Sequence, residues 1–146
     1  MNSSCEESFW QLIGQTGRAM RSYADRCLRG YSLTVEQLQV LKNIDVVVGR
    51  PQSELSQLTG KSPANITRIL DRLEKKSRIE RRPNPTDRRS SLIFLTGEGV
   101  VLCDEVNRLF TGLRAELVAG ISPDKQKIAA EVLREIGSNI ETMNVR

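Results

Sequence analysis

Residues 51–96, PQSELSQLTGKSPANITRILDRLEKKSRIERRPNPTDRRSSLIFLT, constrain the fold more tightly than any other stretch of the chain. A short amphipathic segment runs into Gly60, a second helical pattern follows, and two β-prone runs flank a turn-forming stretch. Five arginines (Arg78, Arg81, Arg82, Arg88, Arg89) lie in and around that hairpin. Helix, glycine turn, helix and basic hairpin in this order make a helix-turn-helix with a wing. Such a unit offers one helix to a DNA major groove and one loop to a neighbouring minor groove.

The second helix, 62–76, carries the detail. Ser62 is placed to N-cap it, and Pro63 fits the first position, where a missing N–H costs nothing. Ile66, Ile69, Leu70 and Leu73 recur at helical spacing and define a buried stripe. At 100° per residue the opposite face collects Ala64, Thr67, Arg68, Asp71 and Lys75, flanked by Asn65 and Arg72. Small and hydrogen-bonding side chains sit at its N-terminal end, the end that a recognition helix directs at base edges. An ordinary amphipathic helix with a solvated face shares this pattern; the turn before it and the arginine hairpin after it favour nucleic acid.

Between Lys75 and Arg89 there are seven basic residues and two acids, a surplus of five in a chain whose net charge is +4. The rest therefore nets −1, so the positive charge is concentrated where phosphates would be met. Asn84-Pro85-Thr86-Asp87 is rich in turn formers and puts Arg88 and Arg89 at or just past the hairpin tip, within a wing spanning 79–95. Asp87 would repel DNA by itself. It is read as an orienting residue that accepts backbone or arginine hydrogen bonds and stiffens the loop. The candidate DNA-binding set is Ser62, Ala64, Asn65, Thr67, Arg68, Arg72, Lys75, Arg81, Arg82, Asp87, Arg88 and Arg89.

On LTVEQLQVL (33–41), SPANITRILDRLEKK (62–76), IERRPNPTDRRS (79–90) and LTGEGV (95–100), the chain resembles the MarR family of bacterial winged-helix regulators. The tail LRAELVAGISPDKQ (113–126) is similar to the SlyA branch. The resemblance implies a homodimeric DNA-binding regulator with a wing arginine, here Arg89, in the minor groove; two recognition helices on a two-fold axis about 34–36 Å apart would then read a pseudo-palindromic operator in double-stranded DNA. It also implies a small-molecule effector lodged between the dimerisation and DNA-binding parts. Two departures stand out: Ser77-Arg78 where the family usually has Gly-Leu, and Pro51 where the preceding helix often starts with Ser or Thr. The first predicts a serine in a left-handed turn.

The remaining segments suit a dimer. Helix one, about 6–29, aligns Phe9, Leu12, Ile13, Thr16, Met20, Tyr23 and Cys27; Thr34 and Gln37 form a capping box, with Leu33 and Leu38 as its staple. Thr96 can cap a long helix bearing Leu102, Val106, Leu109, Leu113 and Leu117, and Ser122-Pro123-Asp124 starts a last helix with Ile128, Val132, Leu133, Ile136, Ile140 and Met143. The expected architecture is mostly α with a small β-hairpin wing: a winged helix-turn-helix (31–99) whose terminal helices (1–30 and 100–146) dimerise as one intertwined domain. A monomeric helical bundle is the bland alternative.

Other classes are poorly supported. No run of about 18 apolar residues could span a bilayer. The start MNSSCEES lacks a basic stretch leading into an apolar one, so a cytoplasmic protein without membrane association is expected. With no histidine, and with Cys5, Cys27 and Cys103 odd in number and far apart, neither a metal site nor a disulfide framework is expected, nor any cofactor. Carboxylates are scattered, no glycine loop cradles phosphate, and Thr96-Gly97-Glu98-Gly99 reads as a helix start, so catalysis is not expected. The competing readings are a winged helix used for protein contacts, an RNA-binding variant, and a thiol-based redox sensor. An interaction module would show apolar anchors where Ala64, Asn65, Thr67 and Arg68 stand. A small aromatic or anionic effector could be held by Trp10 and Arg21, which lie with Gly14 and Gly17 on one flank of helix one; close helix packing explains the glycines equally well.

Overall fold

The computed structural model describes residues 3–144, with side chains from Ser8 to Met143. In chain order it contains α1 (Ser3–Leu28), a 3-10 turn (Arg29–Tyr31), α2 (Val35–Lys42), β1 (Arg50–Pro51), α3 (Gln52–Thr59), α4 (Pro63–Lys75), β2 (Ile79–Pro83), β3 (Ser91–Leu95), α5 (Gly97–Leu117) and α6 (Pro123–Asn144). The backbone separates into two units, Met1–Val106 and Asn107–Arg146.

In the first unit the local signals act as the sequence predicts. The Thr34 side chain accepts the Gln37 N–H while the Gln37 side chain accepts the Thr34 N–H, a complete capping box. Asp25 adds a second fastening, its carboxylate accepting the Val35 N–H at 3.0 Å and so tying α1 to the start of α2. Ser62 Oγ accepts the Asn65 N–H, with Pro63 in the first turn of α4. The whole apolar stripe of α4 is buried, and it meets Leu28, Val40, Leu41, Leu55, Ile79 and Ile93 in one core. That core carries the stability: each such side chain contributes about 1.5–3 kcal/mol by leaving water.

The hairpin gains a strand that the sequence concealed. β3 pairs antiparallel with β2 from Ile79 opposite Leu95 to Pro83 opposite Ser91, and on its other side with β1 at Arg50 and Pro51. Two residues, one of them proline, leave no readable alternation. Ahead of β1, Asp45 accepts the N–H groups of Val47 and Val48, bonds that hold its carboxyl below the ordinary carboxylate range. Gly49 follows at φ +70°, with the Phe94 ring where a Cβ would stand.

Ser77 is left-handed, at φ +56°. Its N–H reaches the Glu74 carbonyl at 2.8 Å and the Arg78 N–H reaches Leu73 at 2.9 Å, the closing bonds of a helix end of the kind glycine usually serves. Among the described residues its hydroxyl has no hydrogen-bond partner. The left-handed region costs serine about 1 kcal/mol, partly offset by glycine's greater unfolded-state entropy. Ser77→Gly is therefore expected to leave the melting temperature equal or slightly higher in a thermal unfolding scan. A clear fall would give the hydroxyl a supporting role.

In the second unit, Ser122 Oγ accepts the Lys125 N–H at the start of α6, and Gly120 turns the chain at φ +78°. Ile128, Leu133, Ile140 and Met143 of α6 are exposed within this chain, as are Phe9, Trp10, Leu12 and Met20 of α1 in the first unit.

Candidate nucleic-acid interface

Helix α4 presents Ala64, Thr67, Arg68, Arg72 and Lys75 to solvent, with Asn65 half-buried beside them. No apolar anchor interrupts this face, as a protein-docking helix would require. Thr67 is already engaged. Its hydroxyl donates to the Pro63 carbonyl at 3.0 Å and accepts from Gln52 Nε2 at 2.8 Å, so it ties the two helices of the helix-turn-helix together. Sequence reasoning misses Gln52, because nothing local in the sequence pairs positions fifteen residues apart.

The wing tip is ordered from within. Asn84 donates to the Ser90 hydroxyl at 2.9 Å, the Thr86 N–H reaches Asn84 Oδ1 at 3.1 Å, and the Arg89 N–H reaches Asp87 Oδ1 at 2.9 Å. Asp87 thus takes the orienting place the sequence suggests, through the backbone of Arg89 and not through a guanidinium. Arg88 and Arg89 are exposed. Arg89 also lines a cleft of about 480 Å³ with Gln52, Ser53, Ser56, Gln57 and Pro63, so the wing arginine and the N-terminal end of α4 open onto the same face.

The basic residues divide into two groups. Arg78 pairs with Glu98, Arg82 with Glu80, and Arg81 with both Asp71 and Glu74. Lys76 donates to the Ser32 carbonyl at 2.5 Å, and the Arg82 guanidinium also lies 4.1 Å from the Phe94 ring centroid. Arg68, Arg72, Lys75, Arg88 and Arg89 have no ion pair among the described residues. The surplus charge legible in the sequence is therefore carried at the solvent face by a smaller set than the composition implies.

The suggested effector residues do not meet. Arg21 pairs with Glu36 at 3.5 Å and lines a cleft of about 460 Å³ together with Asp25, Arg29, Arg68 and Arg72. Trp10 lies eleven residues earlier on α1, about 16 Å of helical rise, packed edge-to-face on Phe9 and 57% exposed. One flank of a helix is not one site when its residues are three turns apart. Of the described thiols, Cys103 is unlike a redox sensor. Cys27 is half-buried. Burial, then Asp104, push the Cys103 thiol above its ordinary range, with Lys42 acting the other way, and a thiol held protonated reacts slowly with oxidants. Cys5 lies outside the described side chains.

The sequence model of the MarR family matches residues 33–91, from the α2 cap to the start of β3. The multiple antibiotic resistance protein MarR of Salmonella typhimurium is 32% identical over 117 residues, 77% of this chain and 81% of that protein. The chain belongs to the MarR family. Its members are transcriptional regulators, and the winged helix described above is their fold. The crystal structure of a mutant MarR from Escherichia coli, complexed with operator DNA, superposes with a TM-score of 0.79 at 26% identity, covering 93% of this chain and 99% of that one. AbsC, a MarR family transcriptional regulator from Streptomyces coelicolor, superposes with a TM-score of 0.84 over 97% of this chain and 98% of that one at 19% identity, a likeness of fold alone. This MarR-family chain therefore carries its basic hairpin and its polar-faced α4 on a scaffold shared with a relative solved on DNA. No described helix is long and apolar enough to cross a membrane.

Proposed function

We propose that this chain is a homodimeric, sequence-specific DNA-binding repressor that places α4 in the major groove and the wing in the flanking minor groove. The observation that carries the reading is the common face: Pro63 at the start of α4 and Arg89 at the wing tip line one cleft, and Arg89 is one of five cations on α4 and the wing tip without ion pairs among the described residues. A phosphate backbone crossing that face meets neutral hydroxyl and amide donors between two arginine-bearing elements. The relative solved with operator DNA supports this use of the fold. The exposed apolar side chains of α1 and of α6 support a partner copy, since monomers seldom leave such residues in water over long helices. In this reading 1–30 and 100–146 form the dimerisation region around the 31–99 reader, the tail keeps its likeness to the SlyA branch, and the protein works in the cytoplasm without a catalytic step.

Release from DNA would come from an anionic effector in the cleft where Arg21, Arg29, Arg68 and Arg72 outnumber the carboxylates of Asp25 and Glu36. Two of those arginines belong to α4, so an occupant would compete with base contacts or shift the helix. Trp10 has no part in it.

Arg68 is assigned to a base edge, guanine O6 and N7 being the geometric match for a guanidinium, with Asn65 as second reader. Arg68→Ala is expected to cost about 1–3 kcal/mol on the operator and to relax preference at one position of each half-site, measured by selection from randomised duplexes. Equal weakening on operator and random DNA would instead make Arg68 a phosphate contact.

A further inference from the structure

Arg81 stands apart from the other wing arginines. From β2 it reaches back to α4, with Nη2 2.7 Å from Asp71 Oδ1 and Nη1 2.5 Å from Glu74 Oε2. Asp71 and Glu74 are i,i+3 neighbours on the helix, so their carboxylates stand side by side and one forked guanidinium spans both. Its side chain is 22% exposed, whereas Arg88 and Arg89 extend into solvent. The cluster of one cation and two anions nets −1. A phosphate close enough to touch Arg81 would also meet two carboxylates.

We infer that Arg81 is a positioning residue of the wing: the Asp71–Arg81–Glu74 clasp fixes β2 against α4 so that hairpin and recognition helix meet the duplex in register, and Arg81 itself touches no phosphate. The inference rests on the proposal that α4 and the wing bind DNA together. It removes Arg81 from the DNA-binding set drawn from the sequence and gives Asp71, which shares the exposed face of α4 with the base readers, a role without DNA contact. Two separately mobile elements would lose more entropy on docking than one prearranged surface, so the clasp contributes to affinity through order in the free protein. Its partners are partly exposed, which keeps the effect moderate.

The two roles for Arg81 predict opposite signs. Neutralising the acids with Asp71→Asn/Glu74→Gln adds net positive charge beside the recognition helix. For an Arg81 that binds phosphate this frees the guanidinium and tightens DNA binding. For a clasp it loosens the wing and weakens operator binding despite the favourable charge.

The experiment compares the full chain with Arg81→Gln, Asp71→Asn/Glu74→Gln and Arg88→Gln, by amide hydrogen exchange of the DNA-free protein and by operator binding across salt concentrations. Arg81→Gln and the double variant are both expected to speed exchange in β2 and the wing turn, and to weaken operator binding, each roughly three- to tenfold. The salt slope of Arg81→Gln stays at the wild-type value. Arg88→Gln lowers it by about 0.9 for each phosphate no longer neutralised and leaves exchange unchanged. Arg81→Lys keeps the charge without the fork and falls between wild type and Arg81→Gln. Unchanged wing exchange in Arg81→Gln, a salt slope that falls as in Arg88→Gln, or tighter binding by the double variant each overturns the inference. Wild-type protein lacking salt-dependent DNA binding would overturn the proposed function instead, leaving the exchange result to decide the clasp.

Discussion

Gly99→Ala is expected to destabilise the protein by about 3 kcal/mol, the upper part of the range for overpacked sites, and to lower the melting temperature by roughly 10 °C. Gly99 is buried in the first turn of α5, where its N–H donates to the Thr96 cap at 3.0 Å. A Cβ there would lie 2.0 Å from the Arg78 carbonyl oxygen and 3.1 Å from its carbon. Both are backbone atoms, and that same carbonyl accepts the Thr96 N–H at 3.2 Å, so the neighbour cannot swing away. Helix propensity by itself favours alanine over glycine by about 1 kcal/mol and predicts a gain. The sign of the change in a thermal unfolding scan decides between them: a raised or unchanged melting temperature would mean that α5 does not pack this closely on the chain leaving α4. Since that chain leads directly into β2, the substitution is also expected to disturb the wing.

The second large effect concerns DNA. Arg89→Ala is expected to weaken operator binding by about 1.5–3 kcal/mol per half-site, roughly tenfold to a hundredfold, as removal of a charge-assisted hydrogen bond in a narrow groove implies. The log–log dependence on salt should flatten by about 0.9 for each phosphate that the variant no longer neutralises. Arg89 is exposed, unpaired among the described residues, and held through its backbone N–H by Asp87. Asp87→Ala should therefore weaken binding less, by loosening the turn while sparing the guanidinium. Titration of a labelled operator at several salt concentrations measures both. Unchanged affinity in Arg89→Ala would leave the wing outside the complex.

The parts of this fold that are legible in the sequence are those set by near neighbours. The Ser62 cap, the Thr34–Gln37 box and the α4 stripe each depend on residues within about one helical turn, whereas the left-handed Ser77 is legible only through the glycine usual at that place in the family. What stays hidden depends on residues far apart in the chain. β1 is too short to alternate, Thr67 meets Gln52 only across the turn, and Gly99 is a helix start by its sequence but a close backbone approach by its packing. The interface is legible as a sum of charge and not as its division, because whether an arginine is free or paired depends on which carboxylate another element brings to it. Asp71 shows this most clearly. Its place on the exposed face of α4 is fixed by helical period, yet its use is set by Arg81, ten residues on.

Hydroxyl-radical footprinting of the purified protein on DNA recovered by genomic selection tests the dimeric, two-groove reading most directly. Two recognition helices related by a two-fold axis, about 34–36 Å apart, should protect two half-sites one duplex turn apart within a pseudo-palindrome, with wing protection in the flanking minor grooves. Protection of a single asymmetric half-site by one copy of the chain would contradict it.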